Sequence, residues 1–225
     1  MTRIVLALLM GAVIAIVGIS APGFLGFPIQ GWFPSSFVTH TIMLATSLLI
    51  MWYLSRGELS SYGFKRGSFG MTPTILLWGI PTSVLSVLQF VASRSGAPTQ
   101  EILSLTRGQT VLFVWIYASA CEEIFVRGLL QGYLAPLERH KITLVGKQIS
   151  APVPLCAIFF GAMHVVLWPR IGPQAIVPMI LATGLGLVAG YYREKTGSLL
   201  PAIFVHALFN VGGSLPGWVL TSLTE

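Results

Sequence analysis

Long apolar runs, broken by short clusters of proline, glycine and charge, dominate the chain. A helix needs roughly 20 apolar residues to cross the hydrocarbon core of a bilayer. Candidate spans lie at approximately 4–20, 37–54, 73–93, 110–134, 151–168, 174–192 and 198–220. The pattern predicts an all-α, polytopic transmembrane helical bundle of about seven spans, within a range of roughly six to eight. Gly212-Gly213 and Pro216 interrupt the last run, which predicts a shorter helix followed by a tail. Elsewhere proline and glycine fall between spans, as at Ala21-Pro22-Gly23, Phe33-Pro34 and Trp168-Pro169. The first run, after Met1-Thr-Arg3, resembles a signal peptide with a passable cleavage site at Gly18-Ile-Ser20; it is read here as an uncleaved first helix.

Composition strengthens this picture. Of 225 residues, 54% are hydrophobic and 9% charged, against roughly a quarter charged in soluble domains. The net charge of +6 reads as loops facing anionic lipid, since no basic cluster with interleaved aromatics points to nucleic acid. With the N-terminus cytoplasmic, inner segments hold Arg3, Arg56, Lys65, Arg66, Arg139, Lys141, Lys147, Arg193 and Lys195, and outer loops hold Arg94, Arg107 and Arg170. That asymmetry predicts an N-in, C-out topology. A single integral-membrane domain over 1–225 is expected, with no second soluble domain, linker or repeat. Gly128-xxx-Gly132 and Gly186-xxx-Gly190 are read as helix-packing signals. Cys121 and Cys156 fall in spans and are read as buried thiols without a disulfide. Every acidic residue is glutamate, which removes any mechanism built on paired aspartates.

Against this background, the polar residues inside the spans stand out: His40, Glu122, Glu123, Arg127, His164, His206 and Asn210. Ionisable groups in a membrane segment are costly and mark functional sites by default. Glu123 and Arg127 are four apart and share a helix face, whereas Glu122 is turned roughly 100° away. His206 and Asn210 also project together, as do Phe160 and His164. At ~1.5 Å per residue, Glu122, His164, His206 and Asn210 lie roughly 12–20 Å from the cytoplasmic end of their spans. Any one of them can be structural glue between helices; the matched depth on three helices points instead to a site. His40, near the outer end of its span, is read as structural and without polar company. A carboxylate near a histidine can activate water, and His206 with Asn210 can donate to an oxyanion, the chemistry of peptide hydrolysis. Alternatively, Glu122, His164 and His206 could hold zinc, although the HExxH signature is absent.

Three motifs stand in order: Glu122-Glu123-Ile-Phe-Val-Arg127, Phe160-Gly-Ala-Met-His164 and His206-Ala-Leu-Phe-Asn210. They resemble the EExxxR, FxxxH and HxxxN/D motifs of the CAAX-type prenyl-endopeptidase and bacteriocin-processing (CPBP, or Abi) intramembrane proteases. The resemblance covers roughly 110–212 as a catalytic core, and the stretch around Tyr62-Gly-Phe64-Lys-Arg is similar too. It implies an intramembrane endopeptidase of the glutamate type, a family first described as metalloproteases. Glu122 would be the base, His164 its partner on the water, and His206 and Asn210 the oxyanion donors. Glu123, Arg127 and Phe160 would be supporting residues. The implied partners are a peptide or membrane-protein substrate and the lipid bilayer, with no nucleic acid. The implied location is a prokaryotic inner membrane, with the site opening to the cytoplasm. Two other functions compete: a proton-coupled transporter using the same groups as a relay, and a non-catalytic immunity protein. The first needs polar groups through the full membrane depth, and the second should show eroded motifs.

Overall fold

The computed structural model describes residues 1–26, 32–67, 80–82, 84, 85, 87, 105–144 and 146–224. Helices dominate: α1 (Thr2–Phe24), α2 (Ser35–Ser55), α3 (Arg107–Tyr133), α4 (Pro152–Met163), α5 (Ile176–Thr196) and α6 (Leu200–Thr224). Among the described residues, four stretches are long and apolar enough to cross a membrane: α1, α2, α3 and the stretch Pro152–Thr196. The last folds back on itself. Tight turns over His164–Leu167 and Gly172–Ala175 reverse the chain, and α4 packs along α5. Of the span expected at 73–93, residues 80–82, 84, 85 and 87 are described and helical, and the rest lies outside the described residues. α6 departs from the expected broken run, continuing through Gly212 and Gly213 to Thr224. Glycine and proline are tolerated in such a helix where neighbouring helices keep the freed backbone groups satisfied.

α3 is the centre of the assembly and touches α1, α2, α4, α5 and α6. Residues 125–131 are buried on all sides, as a helix surrounded by others must be. Its start is fixed by a capping box: Gln109 N–H donates to Thr106 Oγ1 (3.3 Å), and Thr106 N–H donates to Gln109 Oε1 (2.9 Å). On either side of the glutamates, Thr110–Ala118 and Ile124–Leu130 adopt wide, π-type turns. Large apolar side chains on α1, α2, α4 and α5, among them Leu9, Ile16, Leu49, Ile158 and Ile180, face outward as a lipid belt requires.

Glycines set the close contacts. A Cβ at Gly186 would lie 2.8 Å from Ala157 Cα and 2.9 Å from Arg127 Nη2, so Gly186-xxx-Gly190 brings α5 onto both α4 and α3. A Cβ at Gly132 would meet the Tyr62 ring at 2.6 Å, which seats the turn after α2 against the end of α3. Among the described residues, one element departs from the all-α expectation. Lys141–Leu144 (β1) and Lys147–Ser150 (β2) form an antiparallel hairpin between α3 and α4. Alternating apolar and polar residues pair around Gly146, whose φ of 69° suits a tight turn. Glu194 of α5 anchors the hairpin by accepting from Lys141 Nζ, Ser150 N–H (2.9 Å) and Ser150 Oγ (2.7 Å).

Candidate active site

Glu122 and Glu123 sit side by side on α3 and face different partners. Glu123 is fully buried and accepts from Arg127 Nη1 at 3.0 Å, one turn along the helix. This is the pairing that the i,i+4 spacing predicts. The Arg127 guanidinium, also fully buried, lies over the Phe160 ring of α4 at 4.6 Å from its centroid, a favourable cation–π arrangement. His206 of α6 completes this side, with Nδ1 2.8 Å from Glu123 Oε1. Its ring also packs against Phe160, at 5.6 Å between centroids. Phe160 therefore supports both an arginine and a histidine through its faces and edges.

Glu122 retains 19% side-chain exposure, and its two oxygens face two histidines. His40 Nε2 of α2 is 2.9 Å from Oε1, and His206 Nε2 is 3.8 Å from Oε2. The second gap is too long for a direct hydrogen bond. His164, at the C-terminal end of α4, packs edge-on against the Phe160 ring, with centroids 5.2 Å apart. Its Nδ1 lies 2.9 Å from the Phe160 carbonyl. A carbonyl oxygen only accepts, so Nδ1 is the donor and Nε2 is the ring nitrogen left for other work. Two carboxylates against one guanidinium leave one negative charge to offset, and the histidines are the groups at hand.

The structure brings Glu122, Glu123, Arg127, Phe160, His164 and His206 together. Asn210 belongs to the same helix face as His206 but is spent differently. Its Nδ2 donates to the Val114 carbonyl (3.1 Å) and to Ser119 Oγ (3.0 Å), both on α3. An amide nitrogen has two protons, so both are engaged in tying α6 to α3. His40 is the residue that the sequence pattern did not reveal. Instead of being a structural histidine without polar company, it bonds Glu122 directly. The one signal available was a histidine inside an apolar run.

Among the described residues, no three His, Cys, Asp or Glu side chains are grouped to hold a metal ion. His40 occupies one oxygen of Glu122, and Glu123 occupies His206 Nδ1. Cys121 and Cys156 are free and buried.

Residues 105–212 match a family model described as type II CAAX prenyl endopeptidase, Rce1-like. The matched segment runs from the cap of α3 into α6, and includes both glutamates, Arg127, Phe160, His164, His206 and Asn210; His40 lies outside it. No curated protein and no solved structure matches the chain.

Proposed function

We propose that the chain, which matches the Rce1-like family of type II CAAX prenyl endopeptidases over residues 105–212, is an intramembrane endopeptidase in which Glu122 activates the hydrolytic water. The observation that carries this reading is the carboxylate of Glu122, with one oxygen bonded to His40 and the other turned toward a second histidine. Oε2 takes a proton from water as the water oxygen attacks the scissile carbonyl carbon. The same proton passes to the leaving amine when the C–N bond breaks. His164, with Nδ1 held by Phe160, presents Nε2 to orient the water. His206 lies between the two carboxylates and can carry a proton on each ring nitrogen, so that Nε2 donates to the developing oxyanion. Asn210 is assigned here to holding α6, and with it His206, against α3. No step is routed through a metal.

The substrate class we propose is a membrane-associated peptide cut near one end: a prenylated C-terminus, a leader peptide or a sorting tail. Lysine and arginine in the connecting loops support an opening toward the cytoplasm. The test is cleavage of such peptides by the purified protein in liposomes. Glu122→Ala, His164→Ala and His206→Ala should each abolish cleavage while the protein remains folded. Retained cleavage in Glu122→Ala sinks the reading.

A further inference from the structure

We propose that His40 is a positioning residue for Glu122: anchored at Nδ1, it pins one carboxylate oxygen and leaves the other for water. The inference rests on the protease reading of the same site, yet the residue lies outside the matched segment and outside the three motifs. Its geometry is doubly determined. His40 Nδ1 is 2.6 Å from the Ser36 carbonyl one turn back on α2, and Nε2 is 2.9 Å from Glu122 Oε1. The Ser36 carbonyl only accepts, so Nδ1 carries a proton. The short Nε2–Oε1 contact then needs a second proton, shared between ring and carboxylate. The ring is thus a strut between a backbone carbonyl and one oxygen of Glu122.

Helix packing does not need this strut. One residue on, Thr41 Oγ1 and Tyr117 OH already bond α2 to α3 at 2.8 Å. Phe37 of α2 packs on Tyr117 and Phe113 of α3, with centroids 5.2 Å and 5.6 Å apart. With the interface secured there, the His40 contact serves to fix Glu122. A carboxylate free to rotate about its last torsion would present either oxygen, or neither, to a water near His206 and His164. Misplacement of about 1 Å at a reacting group can cost roughly 100-fold in rate.

The two ring nitrogens can be tested separately. Glutamine places an N–H donor where Nε2 sits, and asparagine places one where Nδ1 sits. His40→Asn should keep the Ser36 contact, lose the Glu122 contact, and lower kcat by about 100-fold with KM unchanged. His40→Gln should restore most of that loss, and both variants should stay folded at the assay temperature, His40→Asn with some loss of stability from the carboxylate it leaves without this partner. Equal activity in both variants, whether high or low, overturns the proposal, as does a KM effect or unfolding of His40→Asn at the assay temperature. Glu122→Gln is the control: inactive Glu122→Gln beside fully active His40→Asn defeats this inference alone, whereas active Glu122→Gln defeats the protease reading with it. A measurement independent of turnover is nitrogen NMR of the labelled histidine rings. Glu122→Gln should move the His40 Nε2 resonance and leave Nδ1 in place; an unmoved Nε2 resonance also overturns the proposal.

Discussion

Replacing Arg127 with methionine tests the buried half of the site. The side chain keeps its approximate length and loses its charge. Glu123, fully buried and 3.0 Å from Nη1, is left with only His206 Nδ1 at 2.8 Å. Removing one member of a buried ion pair costs about 3–5 kcal/mol. Loss of the Phe160 contact adds about 1–2 kcal/mol. Two effects act the other way. His206 still bonds the carboxylate, and Arg127 Nε and Nη2 are buried without hydrogen-bond partners. Removing such orphaned donors returns about 1 kcal/mol each, the low end of the usual range, because the Phe160 face already offsets part of the missing bonds. The expected net destabilisation is about 3 kcal/mol. The double variant Arg127→Met/Glu123→Gln buries no charge at this point and should recover at least about 2 kcal/mol relative to Arg127→Met. The assay is reversible unfolding in mixed micelles titrated with SDS. A single-variant cost below about 1 kcal/mol refutes the reasoning, as does a double variant equal to the sum of the singles.

Two further outcomes follow from close contacts. A Cβ at Gly161 would fall 1.9 Å from Thr183 Oγ1 and 2.7 Å from the Met179 carbonyl, so Gly161→Ala should cost about 1–3 kcal/mol in the same unfolding assay, and adding Thr183→Ala should recover little because the carbonyl remains. Asn210→Ala should cost about 1–3 kcal/mol by stranding the Val114 carbonyl and Ser119 Oγ, and a double-mutant cycle with Ser119→Ala should show clear non-additivity.

What could be read along the chain was set by local periodicity. Apolar runs located α1, α2 and α3 to within a few residues, and i,i+4 spacing found the Glu123–Arg127 pair because both ends lie on one helix. The direction a side chain takes between helices was not legible. His206 and Asn210 share a face, yet one reaches the glutamates and the other turns to Val114 and Ser119, a choice made by the packing of α6 on α3. His40 is 82 residues from Glu122 in sequence, and no periodicity spans that separation. The hairpin was within reach: Lys-Ile-Thr-Leu and Lys-Gln-Ile-Ser flank a glycine-containing turn, but between long apolar runs they read only as a charged loop. Lack of polar company, inferred for His40 from its own span, is a property of one helix, whereas partners belong to the bundle.

The central position of α3 bears on how the protein enters its membrane. Of the four crossing stretches, α3 is the least apolar. It carries two carboxylates and a guanidinium near its middle, and charged groups there cost roughly 2.5–3.5 kcal/mol each on insertion. The Glu123–Arg127 bond closes within a single helical turn, so part of that cost can be relieved before any neighbour arrives. Glu122 has no such relief within α3. Its partner His40 belongs to α2, which is synthesised first. A ribosome therefore delivers the acceptor's seat before the acceptor, and the order of the helices along the chain doubles as an order of assembly.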